Sequence, residues 1–164
     1  MISIKGLHHA AYRCHDSEET RKFYEDFLGL KLAEAFEIQT TKTGRGANVL
    51  HSFYQMGDGS FIAFFEAPDM PFEFEEQHDF DLHIALEVDM DTLHEMFARG
   101  RKMGIETRGI ADHGFIHSIY FRDPNGYVVE LTAKTDAEQP DGDAHAAKAR
   151  AALAAWQEKK RVPA

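Results

Sequence analysis

Apolar and polar positions alternate through residues 3–14, SIKGLHHAAYRC, with the period of two that marks a strand. The period then lengthens. In DSEETRKFYEDFLG, Tyr24, Phe27 and Leu28 fall at i, i+3 and i+4, and Phe23 widens the stripe, so a helix is expected. Asp16 stands at its N-cap with Glu19 three residues on, the capping-box spacing, and Gly29 is placed to end it. LKLAEAFEIQT reads as a second strand, KTGRG as a loop, and ANVLHSFYQM and SFIAFFEA as strands joined by a GDG hairpin turn. Residues 68–81, PDMPFEFEEQHDFD, form an acidic and aromatic connection, a candidate lid over a substrate.

The plan then starts again. LHIALEV is a strand, and DMDTLHEMFARGRKMG a helix capped by Asp89 or Asp91 and stopped at Gly104. IETRGI and FIHSIYF are strands, DPNG a tight turn, and YVVELTA the closing strand. Placing His9 on His83 superposes strand on strand and helix on helix at an offset of 74 residues. The end of each half matches at an offset of 67, DGSFIAFFEA on NGYVVELTAK. Two copies of strand–helix–strand–strand–strand follow, and neither buries its sheet face alone. The expected fold class is α+β: two paired βαβββ modules (residues 3–67 and 81–133) in one domain spanning 1–133, forming a cupped, mainly antiparallel sheet. A polar linker at 134–143 leads to an Ala-rich C-terminal helix at 144–160, with Leu153 and Trp156 as an apolar stripe that docks on the body or on a partner.

Composition narrows the partners. The 164 residues carry a formal net charge of −10, which argues against nucleic acid or an anionic membrane. A single cysteine, Cys14, allows no intrachain disulfide and suits a reducing, cytoplasmic setting. No signal peptide or transmembrane helix is expected, since MISIKGLHH has no apolar h-region and no apolar run nears the ~18 residues of a membrane span. Thirteen phenylalanines point to a well-filled core, or to an apolar pocket walled by Phe53, Phe61, Phe65 and Phe72.

The repeat singles out the chemistry. His9 and His83 occupy the same place on the first strand of each half, each followed two residues on by an alanine, Ala11 or Ala85, that leaves space beside the imidazole. Glu130 lies between Val129 and Leu131, where a carboxylate is costly to bury unless it is paired or bound to a metal. Two histidines and one carboxylate make the facial set that leaves positions open on Fe(II) and related divalent ions. Glu130 aligns with Ala63, which cannot coordinate, so three protein ligands are expected: His9, His83 and Glu130. The bland alternative is that each strand histidine is structural.

The strings HHAAYRC…TRKFYEDFLGLKL, LHIALEVD and HSIYFRDPNGYVVEL resemble the vicinal oxygen chelate superfamily over residues 4–133. That superfamily holds glyoxalase I, fosfomycin-resistance enzymes, bleomycin-binding proteins and extradiol ring-cleaving dioxygenases. The resemblance implies a metal in the cup, at His9, His83 and Glu130. Alanine at 63 departs from glyoxalase I, which adds a fourth ligand there. Tyr120 falls where extradiol enzymes place a tyrosine that hydrogen-bonds the bound catecholate, although a fosfomycin enzyme has a tyrosine in a similar string. The extra active-site histidine of two-domain extradiol enzymes is missing from GSFIAFF, and His51 or His117 is the candidate substitute. His113 reads as a loop residue, and His8, His15, His78, His94 and His145 as solvated or packing residues. The favoured expectation is an Fe(II) extradiol-type dioxygenase acting on a catechol-like small molecule, a homodimer like many relatives. The alternatives are a Mn-, Ni- or Zn-dependent lyase, isomerase or thiol/epoxide transferase with Glu66 or Glu87 as base, and a metal-free small-molecule binding protein. A fosfomycin enzyme would need a cationic phosphonate pocket, for which Arg13 and Arg122 are the candidates.

Overall fold

The computed structural model describes residues 4–40, 43–44 and 46–161, so the KTGRG loop lies partly outside the described residues. Among the described residues, eight strands form two four-stranded sheets, accompanied by three α-helices and one π-helical turn. The first sheet has the order β1-β4-β3-β2, from β1 (His9–Arg13), β2 (Lys31–Thr40), β3 (Gly46–Gln55) and β4 (Phe61–Glu66). The second repeats it as β5-β8-β7-β6, from β5 (His83–Glu87), β6 (Thr107–Asp112), β7 (Ile116–Arg122) and β8 (Val128–Lys134). In each sheet the first strand runs parallel to the last, and the other pairings are antiparallel. The two modules are therefore separate mixed sheets rather than one continuous sheet, within the expected α+β class.

The register carries the repeat to the level of single residues. His9 pairs with Phe61 and Ala11 with Ala63; His83 pairs with Val128 and Ala85 with Glu130. Position 63 of one module is thus the structural counterpart of position 130 in the other.

The first strand is shorter than its alternation suggests. It begins at His9, and Ile4 and Leu7 are left exposed. The first helix also differs from expectation. Asp16 caps it, accepting from the Glu19 backbone N–H at 2.8 Å, but the α-helix α1 covers only Ser17–Arg21 and passes into a π-helical turn, Lys22–Phe27. That turn puts Phe23, Tyr24 and Phe27 on the buried side. Gly29, at φ +82°, follows the helix as predicted. The second helix, α2 (Met90–Lys102), is capped by Asp89, which accepts from Thr92 N–H at 2.7 Å. Its Gly100 allows close approach to the second sheet, since a Cβ there would lie 2.6 Å from the Phe121 ring.

The helical sides of both modules share one core. Phe27 meets Phe121 edge-to-face at 5.1 Å between centroids, and Tyr24 and Phe64 join Leu93, Ile119 and Val129 in the same buried cluster. A polar latch crosses it: the Tyr24 hydroxyl donates to Asp123 Oδ2 at 3.0 Å. Asn125 extends the latch, its amide donating to Asp123 and Thr20 while its oxygen accepts from His15 N–H. The third helix, α3 (Gly142–Arg161), leaves Leu153 and Trp156 exposed. No helix among the described residues is long and apolar enough to cross a membrane.

The connection after β4 is a fastened strap rather than a loose lid. The Arg13 guanidinium donates to the Ala67 and Met70 carbonyls, and Gln77 N–H donates to the Gly126 carbonyl at 3.0 Å. Phe72 lies over Arg13 and against Phe74, apart from the wall expected of it with Phe53, Phe61 and Phe65.

Candidate metal-binding site

Strand pleating decides which side chains meet. In the second module His83, Ala85, Tyr120, Arg122, Val128 and Glu130 share the sheet face away from α2. Glu130 is 5% exposed, and His83 Nε2 stands 3.1 Å from its Oε2. The other ring nitrogen fixes what that contact means. His83 Nδ1 lies 2.6 Å from the Asp79 backbone carbonyl, an obligate acceptor, so Nδ1 carries the proton. In the neutral ring the Nε2 lone pair then faces a carboxylate oxygen. Two lone pairs at that distance need a cation between them, a proton or a metal ion. Holding one ring nitrogen on a carbonyl while the other is aimed outward is how proteins prepare histidine as a ligand.

Tyr120 is the register partner of Glu130. Burial, and secondarily the Glu130 charge, push its phenol above the usual tyrosine value. Its hydroxyl hydrogen-bonds His113 Nε2 at 3.1 Å. This residue does lie in the loop where the sequence put it, just past the end of β6 at Asp112, and from there its ring reaches Tyr120. The β6–β7 pairing slips by one residue between Gly109 and Ala111. A one-residue slip moves every later side chain to the opposite face, which brings His113 to the Tyr120 side.

The same pleating removes His117 from this group. It pairs with Asp112 and Ala133 on the opposite face from Ser118 and Tyr120, with its Nε2 3.6 Å from Asp112. Glu87 is held by Lys134 at 2.8 Å, and Glu66 caps the first helix by accepting from Ser17 N–H.

His9 stands in the other module. Its Nδ1 is 2.8 Å from His8 Nδ1, and its ring lies 5.8 Å from Phe53. Around it the first sheet presents Phe61, Phe53, Phe36, Phe65 and His51 on one aromatic face, with His51 stacked on Phe65 at 3.7 Å. His51 Nδ1 donates to the Phe64 carbonyl at 2.9 Å. The three expected ligands do not converge inside one chain: among the described residues no three His, Cys, Asp or Glu side chains form a group able to hold a metal ion.

The cations near Glu130 are already engaged. Arg108 makes a two-pronged pair with Asp79 at 2.6 and 3.0 Å, and Arg122 pairs with Glu106 and donates to the Gln77 and Gly126 carbonyls.

Two repeated βαβββ modules, each a four-stranded sheet whose first strand runs parallel to its last, define a class of fold. The model of the Glyoxalase/Bleomycin resistance protein/Dioxygenase superfamily matches residues 6–131, and the chain belongs to that superfamily. Among solved structures it is similar to the fosfomycin resistance protein FosX of Listeria monocytogenes, complexed with Mn(II) and sulfate. That match has a TM-score of 0.60 and 22% identity, covering 82% of this chain and 96% of the other. FosX from Mesorhizobium loti gives 0.59 and 22%, covering 82% and 95%. A glyoxalase/dioxygenase from Nostoc punctiforme gives 0.60 and 20%, covering 80% and 92%. No curated protein matches the chain.

Proposed function

We propose that this protein is a divalent-metal-dependent enzyme, an Fe(II) dioxygenase of extradiol type acting on a catechol-like small molecule. His83 and Glu130 of one chain and His9 of a second copy would hold the metal. The observation that carries the reading is the His83–Glu130 contact, with Nδ1 committed to the Asp79 carbonyl and Nε2 facing the carboxylate at 3.1 Å. Two imidazoles and one carboxylate suit Fe(II) and leave positions open.

A second copy is part of the reading because β1 and β5 are both free edges of their sheets. Each carries an exposed histidine, at 9 and 83. Setting β1 of one chain beside β5 of another would bring His9 to the His83–Glu130 pair and its aromatic face opposite Tyr120. A ring substrate then stacks against Phe53 and Phe65, while Tyr120, backed by His113, holds or moves a proton at a substrate oxygen. His51 is the candidate second acid–base group, facing in from the aromatic side. A bound Fe(II) supplies positive charge to two vicinal substrate oxygens and redox capacity toward O₂.

The engaged arginines favour a catechol over a phosphonate. Arg108 and Arg122 already answer Asp79 and Glu106, so a dianionic group finds no unpaired cation near Glu130 among the described residues. The Mn(II) in the FosX structure keeps the alternative concrete, a Lewis-acid lyase or transferase using Mn, Ni or Zn.

The test is metal analysis of untagged protein purified without oxygen, beside a His83→Ala variant. Near-stoichiometric iron, lost in the variant, together with O₂ uptake on catechols, is the expected result. Manganese, nickel or zinc without O₂ uptake after ferrous loading turns the reading to the Lewis-acid enzyme. No metal after soaking in Fe²⁺, Mn²⁺ and Ni²⁺ leaves a binding protein.

A further inference from the structure

The His83 ring is aimed by a carbonyl that belongs to no strand or helix. Asp79 sits in the strap between β4 and β5, where the local chain hydrogen bonds run from Asp81 and Leu82 N–H to the His78 carbonyl. Within the turn, Phe80 N–H of the Asp79–Phe80 peptide donates to His78 Nδ1 at 3.1 Å. The Asp79 side chain ties that same peptide to the sheet. The carboxylate takes both prongs of the Arg108 guanidinium, at 2.6 and 3.0 Å. Arg108 in turn is set by the sheet. It is the register partner of Tyr120, lies 5.6 Å over that ring, and has Glu106 at 3.5 Å. A line of contacts therefore runs from β6 through Arg108 and Asp79 to His83 and Glu130.

We propose that the Asp79–Arg108 pair is a positioning device: it fixes the strap so that the Asp79 carbonyl keeps His83 in its Nδ1–H form with Nε2 toward Glu130. The inference rests on the metal reading for its purpose, but the tautomer it predicts belongs to the protein alone. The pair suits the task because a bidentate guanidinium–carboxylate contact constrains orientation as well as distance. The same guanidinium lies on Tyr120, so the ligand and the candidate acid–base group share one support.

Two readouts test this on Arg108→Lys, Asp79→Asn and the double variant. The first is the ¹⁵N signature of the His83 ring in metal-free protein. Wild type should keep its proton on Nδ1 whether Nε2 is protonated or bare, and each variant should share that proton between the two nitrogens. The second is calorimetric titration with Mn(II) alone. Each single change should weaken binding about tenfold, the lower end for outer-shell partners of a ligand, and the double change no further, since both remove one contact. An unchanged tautomer in both single variants overturns the proposal, whatever happens to affinity. So does unchanged Mn(II) affinity in variants where His83→Ala abolishes binding. If wild type binds no metal, the proposed function falls, and the tautomer measurement still decides the positioning role.

Discussion

Tyr24→Phe isolates the latch that joins the two modules. It removes one hydroxyl from the core and leaves the ring, which packs 4.7 Å from Phe64 and 5.7 Å from Tyr54. What is lost is a 3.0 Å hydrogen bond to buried Asp123. A hydrogen bond to a charged group contributes about 1.5–3 kcal/mol. Asp123 keeps three other donors, the Asn125 amide and the Asn125 and Tyr127 backbone N–H groups, so the lower half of that range applies, ~1.5–2 kcal/mol. For a chain of this length that corresponds to a fall in Tm of roughly 3–8 °C. The assay is urea unfolding at fixed protein concentration, repeated across pH. Burial pushes the Asp123 carboxyl above its ordinary value, so the folded chain binds that proton more tightly than the unfolded one. Its contribution therefore falls as pH rises from the unfolded value to the raised one, and is level above. The Tyr24 hydroxyl favours the ionised form, so the deficit of the phenylalanine variant should be largest above that window. Below it, where the partner is neutral, the deficit should shrink toward ~1 kcal/mol. A deficit under ~0.5 kcal/mol at neutral pH, or one that does not change with pH, would refute the charged latch.

Gly100→Ala should destabilise by about 1–2 kcal/mol in chemical denaturation, because the added methyl meets Thr107 Oγ1 at 2.5 Å and the Phe121 ring, outweighing the ~1 kcal/mol gained in helix propensity. Asp16→Ala removes the cap accepting from Glu19 N–H and should cost about 1 kcal/mol in the same experiment. If the metal site is shared between copies, His9→Ala and Glu130→Ala chains, each inactive alone, should regain about a quarter of wild-type activity after mixed refolding, since one site of each heterodimer is intact. No recovery would place all three ligands in one chain. Tyr120→Phe and His113→Phe should each lower kcat with little change in KM, and the double variant should lose no more than the worse single one, if the two act as one proton-handling unit.

The fold was legible because its signals are local and occur twice. Alternation, the Asp16 and Asp89 caps, the GDG and DPNG turns and the 74-residue echo of His9 in His83 lie within short windows, and the β1–β4 and β5–β8 registers repeat them residue for residue. What escaped depends on context that a window does not contain. Among the described residues, 4–8 lie outside any strand, with only the His8 carbonyl bonded by Phe61 N–H, so β1 starts at His9. The π-helical turn is a matter of hydrogen-bond register, invisible in a 3.6-residue stripe that both helix types satisfy. His113 does stand in the loop just past β6, as the sequence reads; what a window does not show is that the slip at Gly109–Ala111 turns it to the Tyr120 side. Asp79 and Arg108 lie 29 residues apart with no pattern linking them.

The split of the candidate site follows from the same duplication. Equivalent positions in the two sheets hold different chemistry: Ala63 against Glu130, Phe53 against Tyr120, Phe65 against Thr132, as the matching registers require. One face is aromatic with histidines and the other carries the carboxylate, so two copies of the same face would give either an aromatic cleft without a carboxylate or a polar one without a wall. Only unlike faces give a cavity that binds both a ring and a charge. Within one chain the helical sides of both modules are spent on the common core that holds Phe27, Phe121, Tyr24 and Val129. In the proposed two-chain site, each sheet's other face would meet its complement from a second chain. Loss of the Tyr24–Asp123 latch would therefore reach the site indirectly. Asp123 accepts from Tyr127 N–H in the turn that leads into β8, three residues before Glu130. A loosened turn should weaken metal binding in Tyr24→Phe by less than the tenfold expected of the His83 support, and a larger loss would mean that the latch, rather than the strap, sets the ligand geometry.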